Sequence, residues 1–413
     1  DFCLSRGLGD VYKRQLMIDV ELPNLMQVRA FIRVAELGSV SRATEVLFRA
    51  QSVVTRAIAE LEARFAVPLF ERHANGMRLT DYGECLLPRA QRVLAELDGV
   101  PSLLGTAQGE PLYLFQARRL QVFVKLCETR HMQTVARHFG LSQPAVSAAL
   151  KVLEGGCGQP LFVRTSRGLQ PTVASRDILF PIRRALNELR LLDSDLSAMQ
   201  GTLRGVVHVG ALPLGRSRIL PDAILRFTAQ HPQVRVVTNE SPFDLLATEL
   251  RVGDVDFVLG ALRPHDYASD LVGEPLINEE MVVLARRGHP LLHTHLTLKD
   301  VHQARWVLPR AGSPARQLLD NCFAAAGLTA PWPVVESADL AVIRGLLVRS
   351  DMLAAVSAHQ LAYEIASGEL QRLPLALPGT ARAIGLMQRS GCLQSPVAVA
   401  LMACIRQVIT EQA

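Results

Sequence analysis

A segment near the N-terminus is followed by a second version of itself at a constant offset of 92 residues. Phe31 is matched by Phe123, Glu36 by Glu128, Gln51 by Gln143, Leu61-Glu62 by Leu153-Glu154 and Pro68-Leu69-Phe70 by Pro160-Leu161-Phe162. The match continues through Arg72, Gly76 and Thr80, paired with Arg164, Gly168 and Thr172, and reaches Glu96-Leu97, paired with Glu188-Leu189. Agreement at one offset over roughly seventy positions is a tandem duplication. It constrains the fold more than any bulk property, because whatever unit the first copy forms, the second must form too.

Each copy reads as helices followed by a hairpin. Phe31, Val34 and Ala35 recur at helical spacing, and Gly38-Ser39 breaks that helix. Ser41 is placed to cap a short second helix with Ala43 and Leu47 facing inward, and a third helix spans about residues 52–65. In the second copy Ser142 caps the third helix and Pro144 sits in its first turn, where no amide hydrogen bond is lost. Val146, Leu150 and Leu153 form its buried stripe, which leaves Ser142, Gln143, Ser147 and Ala148 at an exposed start. Three glycines in "LEGGCGQP" are expected to loosen the end of this helix, where the first copy has Arg64. Short extended runs then flank Asn75-Gly76 in one copy and Arg167-Gly168 in the other, as a hairpin tip requires. Helix-turn-helix plus hairpin is a winged module, whose third helix enters the major groove of DNA and whose wing reaches the backbone.

The stretch "FIRVAELGSVSRATEVL…SVVTRAIAELEARFAVPLFERHANGMRLTDYG" resembles the DNA-binding domain of LysR-type transcriptional regulators, and the second copy resembles it as well. The resemblance implies a sequence-specific regulator controlled by a small molecule. Members of that family usually carry one such domain, so either copy could be the operator reader. The residues expected at double-stranded DNA are Ser142, Gln143, Pro144, Ser147, Arg164 and Arg167 in the second copy, and Gln51, Ser52, Thr55, Arg56 and Arg72 in the first. Hydroxyl and amide side chains suit base edges, and arginines suit phosphates. Charge agrees: residues 112–200 hold 12 Lys and Arg against 6 Asp and Glu, whereas residues 26–100 hold 10 against 9 and residues 201–413 hold 19 against 19.

The expected organisation is a first winged module over 24–98, a linker over 99–111, a second module over 112–173, a long helix over 174–200 and a sensor over 201–413. Ile178, Ile182, Ala185, Leu189, Leu192 and Leu196 give the long helix an apolar stripe that needs a partner; in the resembled family this helix dimerises. Residues 1–15 stand apart: "DVYKRQ" is what the end of a transposon used in sequencing libraries would encode, and the segment is read as adapter-derived.

From Gly201 strands and helices alternate, as in "GVVHVGAL", "VRVVTN" and "VDFVLGAL" with helical segments between them. A second such series follows from "EMVVLARRGHPL", and "RAIGLMQRS" is expected to return to the first lobe. The fold class is therefore a two-lobed α/β sensor with parallel sheets, preceded by two mainly α winged modules. The resemblance extends over about residues 26–410 and implies a lobe pair like that of a periplasmic binding protein. Ligands of open α/β sheets settle beyond the carboxyl ends of the strands. There stand Leu214, Arg216, Ser217, Ser241, Arg263, Arg310, Ser313 and Arg316, where arginines could hold a carboxylate and serines orient hydroxyls. Leu212 and Leu214 make the entrance apolar.

Other classes fit poorly. No phosphate-binding glycine loop or nucleophile elbow is present, and His293 and His295 lack a carboxylate at metal-ligand spacing. No catalytic residue, metal or cofactor is therefore expected. Seven scattered cysteines and no run of 18 apolar residues point to a reducing cytoplasm and no membrane. The expected partners are DNA, an effector such as a sugar or carboxylic acid, further copies of the chain as homodimer or homotetramer, and RNA polymerase. The competing reading is a small-molecule binding protein whose winged modules are structural or dimerising.

Overall fold

A computed structural model describes residues 22–412 apart from 75, 107–108, 167, 264–268 and 294. The proposed adapter segment, Asn75 and Arg167 lie outside the described residues. The chain divides after Arg204 into two compact units.

In the N-terminal unit the first copy comprises α1 (Leu25–Leu37), α2 (Val40–Leu47), α3 (Gln51–Phe65), the hairpin β1 (Phe70–His73) and β2 (Gly76–Leu79), and α4 (Asp81–Asp98). The second repeats it as α5 (Ala117–Thr129), α6 (Met132–Phe139), α7 (Gln143–Cys157), β3 (Phe162–Thr165), β4 (Gly168–Pro171) and α8 (Val173–Met199). The repetition extends to individual hydrogen bonds. Glu62 accepts from the amides of Leu69 and Phe70, and Glu154 accepts from those of Leu161 and Phe162. Thr80 caps α4 and donates to the Pro68 carbonyl; Thr172 caps α8 and donates to that of Pro160. Each such cap stabilises its helix by about 1 kcal/mol. Phe31 meets Phe70 with ring centroids 5.5 Å apart, and Phe123 meets Phe162 at 6.0 Å. The Leu-Glu and Pro-Leu-Phe repeats of the sequence are thus the parts that tie helix to wing.

Two expectations are corrected. The cap of α2 is Ser39, which accepts from the Arg42 amide, rather than Ser41. Gly38 takes the left-handed conformation that closes α1, so its extended successor is the first residue able to cap. The glycines of α7 do not loosen it, since α3 and α7 both run for 15 residues. Gly156 instead admits the Tyr113 ring, which a Cβ there would approach to 2.1 Å. The segment after α4 is likewise built into the unit: a single turn at Val100–Leu103 buries Val100 and Pro101, and Leu114 is fully covered.

A continuous apolar core runs through both copies. Its spine is α4 against α8, where Leu86, Ala90, Val93, Leu94 and Leu97 share the core with Ile178, Ile182, Ala185, Leu189, Leu192 and Leu196. The stripe of α8 that needed a partner therefore has one within the same chain.

The C-terminal unit holds two five-stranded sheets, ordered β6-β5-β7-β14-β8 and β11-β10-β12-β9-β13. In the first, β5 (Gly205–Ala211) runs parallel to β6 (Val234–Asn239) and β7 (Phe257–Ala261). The returning β14 (Arg382–Arg389) is antiparallel to β7 and β8 (Leu271–Glu279), so the sheets are mixed rather than purely parallel. In the second, β10 (Trp306–Leu308) runs parallel to β11 (Pro333–Glu336) and β12 (Leu353–Ser357). There β9 (Met281–Arg286) pairs antiparallel with β12 and with β13 (Leu370–Arg372). The chain crosses between the sheets twice, from β8 into β9 and from β13 into β14. The Met281 amide donates to the Thr380 hydroxyl at 3.1 Å, tying the crossings together.

Candidate DNA-reading and effector sites

Both third helices present their first turns to solvent. Gln51, Ser52, Thr55 and Arg56 on α3 are exposed, as are Ser142, Gln143, Pro144 and Ser147 on α7. The apolar stripes beneath them, Val54, Ile58 and Leu61 in one and Val146, Leu150 and Leu153 in the other, fix the opposite face in the core. The two starts differ in order. The Ser142 hydroxyl accepts from the Ala145 amide at 3.3 Å, whereas α3 begins at Ala50 without a side-chain cap. Arg56 is held by Glu60 at 2.6 Å. Arg72 and Arg164 are exposed on the first strands of the two wings. Sequence reasoning missed Phe48, which is 87% exposed in the turn before α3 with φ 51°. Gly140 at the matching position of the second copy was the available signal that this turn needs positive φ.

The second candidate is a cleft of about 190 Å³ at the strand ends of the C-terminal unit. Leu214, Arg263 and Ser313 line it, with Leu212, Pro213 and Ala261 from the first lobe and Pro309, Leu340 and Ile343 from the second. Residues of the crossings complete it: Glu279, Met281, Thr380 and Arg382. Most of its polar groups are already committed. Ser313 caps the helix Pro314–Ala325, Thr380 donates to the Leu377 carbonyl, and the Ser357 hydroxyl donates to Glu279.

Arg263 stacks over the Phe243 ring at 4.6 Å. Arg382 makes no ion pair among the described residues. Burial, helped by the neighbouring charge of Arg263, pulls its guanidinium down to about 10. Burial pushes the Glu279 carboxyl up to about 7 against the pull of Arg372. His359 Nε2 stands 2.9 Å from Glu279, and burial together with Arg218 and Arg372 holds the imidazole below its ordinary range.

The remaining expected residues lie elsewhere. Ser217 lines a neighbouring open groove with Arg344 and Glu364. Arg216, Ser241 and Arg310 do not line the cleft. Arg316 is turned away: it is buried, pairs with Asp320 at 2.7 Å and donates to the Pro331 carbonyl. A strand-end position does not reveal which way the first turn of the next helix faces, and Asp320 one turn on captures this guanidinium. Glu279, Ser357, Thr380 and Arg382 were missed because chain crossings carry no motif.

Winged helix-turn-helix modules joined to a two-lobed sensor define a class, the ligand-responsive DNA-binding regulators. Comparison with known proteins specifies it. Residues 25–84 and 117–176 each match the bacterial regulatory helix-turn-helix protein, lysR family, and residues 200–410 match the LysR substrate binding domain. The transcriptional regulator PcaQ of Agrobacterium fabrum is 30% identical over 297 residues, 71% of this chain and 95% of its own. GbpR of Azospirillum brasilense is 31% identical over 236 residues, 57% of this chain and 69% of its own. Among solved structures, a full-length OxyR variant from Pseudomonas aeruginosa has the same fold at TM-score 0.56 and 21% identity, covering 71% of this chain and 94% of its own. CbnR, a LysR family regulator, does so at TM-score 0.51 and 20% identity, covering 71% and 99%. The chain belongs to the LysR family of transcriptional regulators, sequence-specific DNA-binding proteins with an effector-binding domain. Nearly the whole of PcaQ is matched by about seven tenths of this chain, so the chain is longer by about one winged module.

Proposed function

We propose that this regulator responds to a compact organic carboxylate bound in the cleft at the lobe crossings. The observation that supports it most is the pair Arg263 and Arg382, two guanidinium groups sharing a largely apolar cleft, where burial raises the Glu279 carboxyl to about 7 so that it is only partly ionised at neutral pH, and the other lining carboxyl, Glu280, is exposed to water. A carboxylate relieves that repulsion through charge-assisted hydrogen bonds. A sugar is a poorer fit, because Ser357 and Thr380 already donate their hydroxyls to the protein and the Ser313 oxygen already accepts from the Arg316 amide. Gln143 and Ser147, with Gln51 and Thr55, read base edges, and Arg164 and Arg72 hold the backbone. Arg167 would join them. The regulator acts in the cytoplasm as a homo-oligomer, with RNA polymerase as the downstream contact.

The test is calorimetry of the full chain against aromatic and short aliphatic carboxylates, each beside its neutral amide and beside sugar acids. One or more carboxylates bind and their amides do not, and Arg382→Ala weakens binding by roughly 10- to 100-fold, the worth of a charged hydrogen bond of about 1.5–3 kcal/mol. Affinity falls as pH rises through about 7, because Glu279 is neutral below that pH and adds a repelling charge above it; Glu279→Gln removes the fall. Equal binding of amides, or no change in Arg382→Ala, sinks the proposal.

A further inference from the structure

We propose that the two winged modules of one chain form a single asymmetric reading head that takes two unlike half-sites on one duplex, so that no second chain is needed to supply the second reading helix. This rests on the DNA-reading role given to α3 and α7.

The first observation is how α4 and α8 meet. Arg89, midway along α4, pairs with Asp195, late in α8, at 2.5 Å; Glu96, late in α4, pairs with Arg184, earlier in α8, at 2.7 Å. The helices therefore run antiparallel. Each leads out of its own wing, so antiparallel packing sets the two modules at opposite ends of the pair. The 18 residues of α4 alone span about 27 Å at 1.5 Å per residue, a length of the same order as the turn of about 34–36 Å that separates half-sites on one face of DNA.

The second observation is reciprocity. Glu96 and Glu188 are equivalent under the 92-residue offset, and each takes an arginine from the other copy, Arg184 and Arg89 respectively. The arginines are not themselves equivalent, since Arg184 matches Arg92 and Arg89 matches Pro181, so the exchange marks an approximate two-fold relation, here between the halves of one chain. The contact is not a loose surface match: Arg89 is 1% exposed, with Glu188 and Asp195 both at 2.5 Å, and the shared apolar core surrounds it.

The third observation is what this packing leaves free and how the free parts differ. Both reading-helix starts remain exposed, but they are not copies in chemistry. Phe48, Arg49, Ser52 and Arg56 of the first module stand where the second has Gly140, Leu141, Pro144 and Ala148. A symmetric homodimer would present identical surfaces and read a palindrome; this pair presents two different ones. Gln51 and Gln143 are shared, so the half-sites have a common element with different surroundings.

The test is selection of binding sites from random duplexes by the full chain, repeated with Gln51→Ala, Thr55→Ala and Gln143→Ala, all exposed positions. The expected site has two unlike motifs at fixed spacing. Gln143→Ala relaxes one motif and the first-module variants relax the other, each by about 5- to 150-fold, the range for losing a bidentate base contact of about 1–3 kcal/mol. A single motif, or two identical motifs that respond to Gln143→Ala alone, overturns the proposal while leaving DNA reading intact. Failure of the wild-type chain to enrich any sequence overturns the DNA-reading assignment and this proposal with it.

Discussion

Arg89→Met lowers the stability of the N-terminal unit by about 3–5 kcal/mol, the usual cost of stripping one partner from a buried ion cluster. Glu188 and Asp195 are 5% and 8% exposed at their side chains, so water cannot replace the lost guanidinium. The half-buried pair Arg184–Glu96 is a useful control, and Arg184→Met costs about 1 kcal/mol or less. The deficit in Arg89→Met depends on pH. Burial raises the Asp195 carboxyl above its ordinary range, and the loss of Arg89 removes the main opposing pull. A group whose folded value is raised contributes stability at low pH that disappears as pH rises through that value. Urea unfolding should therefore show a smaller deficit at pH 5 than at pH 8. A deficit under 1 kcal/mol at both would mean that the two modules are not held together by this cluster.

Deleting residues 22–111 converts α8 from a satisfied helix into an adhesive one. The truncated chain spans about what the one-module relatives span, and its sensor keeps cores separate from that of the N-terminal unit. Ile178, Ile182, Ala185, Leu189, Leu192 and Leu196 lose their cover from α4, and each isoleucine or leucine among them favours reburial by about 1.5–3 kcal/mol. Sedimentation should reveal an association step absent from the full chain, as two truncated chains pair through α8. Identical association behaviour of the two would contradict the assignment of α4 as the partner of α8.

The winged modules were legible because a duplication states each motif twice: Leu-Glu, Pro-Leu-Phe and the capping threonines were all recognisable before their hydrogen bonds were seen. The stripe on α8 was legible as well, together with its need for a partner. Periodicity does not say whose helix answers that need, and Arg89, Glu188 and Asp195 look like solvated residues until packing buries them. In the sensor, strand ends led to Leu214, Arg263 and Ser313, which line the cleft. They led away from the cleft at Arg316, where a carboxylate one turn along decides the direction of the side chain. Glu279 and Arg382 lie where the chain crosses between sheets, and their proximity depends on two crossings roughly ninety to a hundred residues apart.

The pairing of α4 with α8 within one chain underlies both the reading head and the stability of the N-terminal unit. It is tested by mixing unlabelled and nitrogen-15-labelled Arg184→Lys chains, refolding them together, and joining the new amine to Glu96 with a carbodiimide. Mass spectrometry of the joined peptides then reads the origin of each half. Intrachain pairing predicts only wholly light and wholly heavy joined peptides; mixed peptides at the statistical half would show that the second helix comes from another chain.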